Sequence, residues 1–435
     1  MRVIADLHIH SPYARATSKD ISVKNLERYA RIKGVGLMGT GDFTHPKWLA
    51  EFRAQLKEDG SGILRTESGY PFVLSAEISN IYSEGGKVRK IHNVLLAGSF
   101  EIVEQINEML GKKGNLLSDG RPIFGKFPCH ELVEQLKGID ESIEIIPAHI
   151  WTPWFSLFGA NSGFDTVEEC FRDQARHIHA LETGLSSDPA MNWRLSQLDK
   201  YALVSNSDLH SFWPWRLGRE ANVFEMKEIT YEALIACLRT KKGFVETIEV
   251  DPNFGKYHFT GHRSCNIVMH PADAMKAGNI CPKCRRKLTV GVLERVEQLA
   301  DRQEGFVPEG AIPFRSVIPL SDILAALLGK AVATKYVWQE YYKLVSIKEN
   351  RSEYDILLSL GREELAKLAG EETADAVMAN RNGEIVIRPG YDGVYGVPML
   401  GQKKPGDENK ETGIGIKEGN EIKEKNKGQT FLDEY

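Results

Sequence analysis

Short apolar runs recur along the first half of the chain, at residues 3–7, 36–39, 72–76, 91–96, 143–148, 178–181 and 202–205. Unbroken runs of this length, with no polar alternation, fit strands buried on both faces. Between several of them, at residues 23–32, 48–56, 101–110 and 166–176, apolar positions fall three and four apart, the spacing of a helix with one buried face. Strand-like runs alternating with helices predict parallel β/α units over residues 1–245. Beyond that point the pattern changes. Residues 246–295 hold a cysteine-rich stretch, and residues 296–400 read as mostly helical, with helices expected at 288–302, 321–328, 336–345 and 362–379. From residue 401 to 435 apolar positions nearly vanish, and Lys, Glu, Gly and Asn dominate, so this tail is expected to be disordered.

What lies beside each run carries more than the runs themselves. The first leads into Asp6, His8 and His10, which share one side because alternate strand residues face the same way. The second leads into Asp42 and His45, the third into Glu77, and the fourth carries His92. His149, Glu182, and the pair Asp208 and His210 mark the last three. Imidazoles and carboxylates are ligands for borderline divalent ions. In β/α folds, residues at the C-terminal strand ends converge although they are distant in sequence. A mouth so equipped would hold two or three divalent ions, of Zn, Mn or Mg type. Each residue also has an ordinary reading. Asp42 suits a helix N-cap ahead of Pro46, Glu182 suits an orienter of a ligand, and His92 by itself is a core histidine. His130, His177, His179 and His258 have no partner pattern and are read as structural.

Composition changes this picture little. The 435 residues are 42% hydrophobic and 26% charged, with a net charge of -5, so there is no global basic signature of a nucleic-acid binder. A local basic channel on an acidic protein is still compatible with DNA. The first ten residues carry charge and histidines, unlike a secretory leader, and no apolar run reaches 18 residues, which points to a cytoplasmic, nucleoid-associated protein. Of the six cysteines, Cys265, Cys281 and Cys284 cluster. With His270 they form Cys-x4-His-x10-Cys-x2-Cys, the pattern of a structural zinc site closed by four ligands, with His262 a rival for the histidine. Arg285, Arg286 and Lys287 follow the knuckle as a small basic patch.

The segments Asp6-Leu7-His8-Ile9-His10, Thr40-Gly41-Asp42-Phe43-Thr44-His45, Ala76-Glu77, Pro147-Ala148-His149 and Ser207-Asp208-Leu209-His210 resemble the successive motifs of the PHP (polymerase and histidinol phosphatase) superfamily. That resemblance implies a distorted (β/α)7 barrel whose mouth binds metal ions and hydrolyses phosphoesters. It also implies that His8, His10, Glu77 and Asp208 hold one ion, with Glu77 bridging to a second held by His92 and His149. His45 and His210 would then hold a third. Asp208, Glu77 and His10 would be the catalytic set, acting through hydroxide generated on metal. Where the superfamily usually has Thr-Asp-His, this chain has Gly-Asp-Phe-Thr-His, so Asp42 and His45 compete for one role; His45 is favoured. Asp6 reads as an orienter of the two histidines.

Loops past the ligand-bearing strands carry Trp151, Trp154, Phe155, Phe212, Trp213 and Trp215, followed by Arg216 and Arg219. Aromatic rings stack on bases and arginines pair with phosphates, so Trp151, Trp154, Trp213, Trp215, Arg216 and Arg219 are candidate substrate contacts. At the C-terminus, Gln429, Leu432 and Tyr435 resemble the PIP box by which repair proteins bind the sliding clamp PCNA. The order of parts (PHP barrel, zinc module, helical region, clamp-like tail) resembles the endonuclease Q family. It implies cleavage of DNA 5′ to uracil, hypoxanthine, xanthine or an abasic site, leaving 3′-hydroxyl and 5′-phosphate. Two other readings stand beside it: a histidinol-phosphatase-like small-molecule phosphoesterase, and a non-catalytic, metal-stabilised scaffold on the clamp.

Overall fold

The computed structural model describes residues 1–400, and the clamp-like segment at Gln429, Leu432 and Tyr435 lies outside them. The chain folds as mixed α/β with a small cysteine-bearing module and a helical C-terminal region. All seven apolar runs form strands: Arg2–Asp6, Leu37–Gly39, Pro71–Glu84, Lys87–Ala97, Glu144–Pro147, Ala180–Glu182 and Ala202–Val204.

Their directions differ from the uniformly parallel expectation. Arg2–Asp6, Leu37–Gly39 and Pro71–Glu84 run parallel, as predicted. The third and fourth runs, however, form one long hairpin rather than separate β/α units. The cause is local. Gly85 and Gly86 adopt φ of 59° and 73°, the left-handed pair that a two-residue hairpin turn requires and that glycine accepts without strain. Lys87–Ala97 is in turn antiparallel to Glu144–Pro147. Ala180–Glu182 and Ala202–Val204 form a separate parallel pair. It meets its neighbours through isolated contacts, Ile150 N donating to Glu182 O at 2.9 Å and an Ile9–Leu209 bridge. The second strand of the sheet's other flank, Ala221–Glu225, lies antiparallel to Arg2–Asp6 and was not foreseen.

The helical region shares its core with the α/β part. Trp213 and Trp215 stack at 5.5 Å with planes 5° apart, and Trp338 sits 5.2 Å from Trp215. Beneath them Lys33 Nζ, wholly buried, pairs with Glu353 Oε1 at 2.7 Å. The helix expected at 362–379 is two helices, Arg362–Ala369 and Glu371–Arg381, divided at Gly370. No helix among the described residues is long and apolar enough to cross a membrane.

A second buried group bears on stability. Glu249 accepts hydrogen bonds from Thr247 Oγ1 at 2.5 Å and Ser205 Oγ at 2.8 Å, deep beside Glu220. Burial pushes its pKa from 4.5 up to about 8. The folded chain therefore holds this proton more tightly than the unfolded chain. The resulting stability is full below pH 4.5 and is lost as pH rises toward about 8. Glu249→Gln keeps the shape and both hydroxyl partners without the titration. Its melting temperature is expected to fall less than that of the unsubstituted chain between pH 5 and 8, ending several degrees higher. Parallel pH profiles for the two proteins would refute this.

Candidate metal centre

Three loops that leave strands carry residues of the centre on strained backbone. Asp42, His149 and Asp208 all adopt positive φ, of 47°, 32° and 46°. Non-glycine residues rarely do so, and such strain persists where the surroundings over-determine it, often at functional sites. Glu77 comes from mid-strand. Its ladder partner is Val94, which makes His92 a diagonal neighbour on the same face. The hairpin thus brings His92 Nδ1 to 2.7 Å from Glu77 Oε1.

Two donor sets meet at Glu77. One contains His8, His10, Glu77 and Asp208; the other contains Glu77, His92 and His149; in each, one ligand atom per residue lies within 4.8 Å of the rest. His10 Nε2 is 3.2 Å from Glu77 Oε2 and 3.1 Å from Asp208 Oδ1. Yet His8 Nε2, His10 Nε2 and Asp208 Oδ1 are buried with no hydrogen-bond partner. Orphaned polar atoms of this kind cost about 1–3 kcal/mol each. Three of them converging on one point fit a cation. The other ring nitrogens are committed: His8 Nδ1 lies 3.0 Å from both Glu182 oxygens, and His10 Nδ1 lies 3.0 Å from Asp42 Oδ1. Those carboxylates accept from Nδ1–H and aim each Nε2 lone pair inward.

The charge balance agrees. Burial works against protonated His8 and His10, but the carboxylates around them, led by Glu182 for His8 and Asp42 for His10, raise both pKa values well above the ordinary range. Protons thus stand where cations would neutralise the same acids. Burial also lowers His92 and His210 to about 4, so both are neutral, ligand-competent imidazoles at neutral pH.

Other expected site residues lie outside these two donor sets. Asp42 joins neither set, and both its oxygens are used, Oδ1 by His10 and Oδ2 by the Ser11 amide at 2.7 Å. Asp6 does not orient the histidines; it accepts from the amides of Ser207 and Gly218 and so ties down the loop carrying Asp208. His45 joins neither donor set, its ring stacking on Tyr13 at 4.3 Å with Nδ1 unpartnered. His210 is also outside both, packed edge-on to His10 at 4.8 Å. Among the aromatics, Trp151 is core, its Nε1 donating to Asn192 Oδ1, and Trp215 is buried in the stack with Trp338. Trp213 packs partly buried in that stack. Arg219 is buried too, holding the Ser207 carbonyl with Nε and Nη2. Arg216 lies over the Tyr395 ring. Only Trp154 stands clear, 40% exposed and 6.3 Å from Tyr257. Loop position is thus a poor guide to exposure here, because the C-terminal helices cover the Phe212–Trp215 loop.

Arg121 was not foreseen. Its Nη1 donates to Glu77 Oε2 at 3.0 Å, from a loop with no apolar run or motif to mark it.

In the cysteine module, His262, Cys265, Cys281 and Cys284 come together, and His262 takes the place expected of His270. The Thr260–His262 strand pairs with Ile267–Met269, which folds His262 back over Cys265. His270 instead caps the Pro271–Lys276 helix and faces Phe259. Although burial opposes it, the amides of Cys284 and Lys283 and the His262 side chain bring the Cys281 thiol down to about 6, which favours the metal-binding thiolate.

Comparison with known proteins extends beyond the site. The lesion-specific endonuclease PfuEndoQ of Pyrococcus furiosus superposes with a TM-score of 0.81 at 32% identity, over 92% of this chain and 95% of that one. The chain belongs to the endonuclease Q family. An endonuclease Q complexed with a 27-mer duplex carrying an abasic lesion at the active site matches at a TM-score of 0.82, 32% identity, 92% of this chain and 96% of that one. The family described as MJ0043 C-terminal domain matches residues 319–384. Uncharacterized protein MJ0043 of Methanocaldococcus jannaschii is 33% identical over 254 residues, 57% of this chain. This chain spans only 31% of that relative's length. Uncharacterized protein YqxK of Bacillus subtilis is 26% identical over 91% of this chain and 98% of its own.

Proposed function

We propose that this chain is a DNA-repair endonuclease that hydrolyses the phosphodiester 5′ to a deaminated base or abasic site. The observation that carries the reading is the likeness along 92% of the chain to an endonuclease Q holding an abasic duplex at its active site. A small-molecule phosphoesterase would need no cysteine module and no helical region sharing its core.

His8, His10, Glu77 and Asp208, and Glu77 with His92 and His149, would hold divalent ions (Zn, Mn or Mg); His262, Cys265, Cys281 and Cys284 would hold a structural zinc. Bound there, divalent ions supply Lewis acidity and a water whose pKa is lowered toward neutrality. The chain's own residues do the rest. Glu182 and Asp42 fix the His8 and His10 tautomers, and the strained Asp208 loop is held by Asp6 and Arg219. The water oxygen bonds to phosphorus as the P–O3′ bond breaks. Its oxygen stays on the 5′-phosphate, and a proton ends on the departing 3′-oxygen. Thr152 Oγ1 lies 3.2 Å from His149 Nδ1 and donates to Trp154 O at 3.0 Å, which ties the exposed Trp154 ring to the mouth. With Tyr257 it forms an aromatic edge on which an extruded nucleotide can stack.

The test uses labelled duplexes containing uracil, hypoxanthine, xanthine or an abasic site, with added metal or chelator. Cutting on the 5′ side of each lesion, leaving 3′-hydroxyl and 5′-phosphate, is expected. Hydrolysis of histidinol phosphate with no nicking would overturn the reading. The sliding clamp is the second proposed partner, through Gln429, Leu432 and Tyr435. A chain lacking residues 429–435 is expected to stop co-eluting with the clamp while cutting as before; continued co-elution would refute that contact.

A further inference from the structure

Among the described residues, Arg121 is the one Lys or Arg side chain that pairs with a donor of either metal-binding set. Its loop is built to deliver it. Asp119 Oδ1 accepts from the amides of Arg121 at 3.0 Å and Arg15 at 3.2 Å. Gly120 N donates to Tyr13 O, and Thr44 Oγ1 donates to Gly120 O. A Cβ on Gly120 would sit 2.3 Å from Asp42 Oδ2 and 2.8 Å from Ala14 N, both held in place, so only glycine lets the loop pass this close to Asp42. On the far side Pro122 O accepts from Ser79 N at 3.0 Å, which pins the loop to the same strand as Glu77. The backbone is thus fixed on both flanks of Arg121.

The side chain is not spent on that anchoring. Its guanidinium makes one hydrogen bond, Nη1 to Glu77 Oε2, and the side chain is 24% exposed while Glu77 itself is wholly buried. A guanidinium is a planar fork with five N–H groups, so a second edge stays available for a bidentate anion. It is always charged, and a phosphate reaching the donors at Glu77 would come within its range. We propose that Arg121 is a catalytic residue: its guanidinium hydrogen-bonds a non-bridging oxygen of the scissile phosphate and stabilises the charge that builds there as the P–O3′ bond breaks. This rests on the reading above. Holding Glu77 alone would not require a fork at the mouth, partly open to solvent.

The test compares the full chain with Arg121→Ala and Arg121→Lys on a lesion duplex. The scissile linkage is natural or a single phosphorothioate of defined Rp or Sp configuration. Arg121→Ala is expected to cut the natural duplex about 10²–10³-fold more slowly, with Arg121→Lys intermediate and added guanidinium restoring part of the loss. One phosphorothioate diastereomer should slow the unsubstituted enzyme more than the other, and Arg121→Ala should erase that excess. Metal content by elemental analysis should not change. Equal phosphorothioate effects in both proteins, or loss of metal from Arg121→Ala, would overturn the proposal in favour of a role in positioning Glu77. Failure of the unsubstituted enzyme to nick any lesion duplex would instead overturn the function itself.

Discussion

Asp208→Asn is expected to slow nicking of a lesion duplex by on the order of 10³-fold or more, while the protein stays folded and binds the duplex. The carboxylate is almost surrounded by histidines, and its Oδ1 is one of the orphaned acceptors. Against the penalty of burial, His210 and His10 hold its pKa well below the ordinary carboxylate range, so it is charged at every working pH. Asparagine keeps the size but removes the charge that an ion would need. It can also turn an N–H toward the point where the ion would sit. Losing several kcal/mol of stabilisation of transition-state charge corresponds to roughly this factor. The left-handed backbone at 208 tolerates asparagine better than most residues, so the fold should survive. Single-turnover cleavage, fluorescence anisotropy with the same duplex and a melting curve together check it. Full nicking activity would remove Asp208 from the chemistry.

The second large effect is on stability. Glu353→Gln leaves the Lys33 ammonium wholly buried with no carboxylate partner, facing Pro214 O at 2.9 Å, the Tyr354 ring at 5.6 Å and a neutral amide. Glu353 also accepts from Leu320 N at 3.0 Å and from Tyr341 OH at 2.6 Å, so one carboxylate joins its own helix to three others. Breaking a buried pair from one side costs about 3–5 kcal/mol, because the remaining charge has no compensation. Lys33→Met with Glu353→Gln removes both charges and should cost less than the sum of the single changes. A double-mutant cycle of chemical denaturation reads the difference. Additive effects would show that the pair contributes nothing specific to docking the helical region.

Much of the fold class was legible. Each apolar run became a strand because a continuous buried run has few other ways to satisfy its surface. The hairpin at Gly85 and Gly86 was equally legible from its glycine pair, but the spacing of the runs was read as β/α alternation. The donors were legible because His8, His10, Glu77, His92, His149 and Asp208 each lie on or beside a strand, and strands that converge bring such residues together.

Which of those residues carry which task was not legible. Asp42 and Asp208 are both acids following short strands. Only packing showed that Asp42 spends both oxygens on His10 and Ser11 while Asp208 leaves one unpartnered. His262 and His270 offered the same chemistry at similar spacing; the turn between two short strands chose the first. Trp151, Trp154, Trp213 and Trp215 have the same sequence context, yet Trp338 from a distant helix packs on Trp213 and Trp215, Phe158 and Asn192 enclose Trp151, and Trp154 is left exposed. Arg121 had no local signal at all. The sequence by itself determined the seven strands of the apolar runs, the donor chemistry and the cysteine cluster, because these depend on residue type and near neighbours. The tertiary structure alone decided which donors are free and which rings are exposed, because both depend on partners outside the local sequence, such as His10 for Asp42 and Trp338 for Trp215.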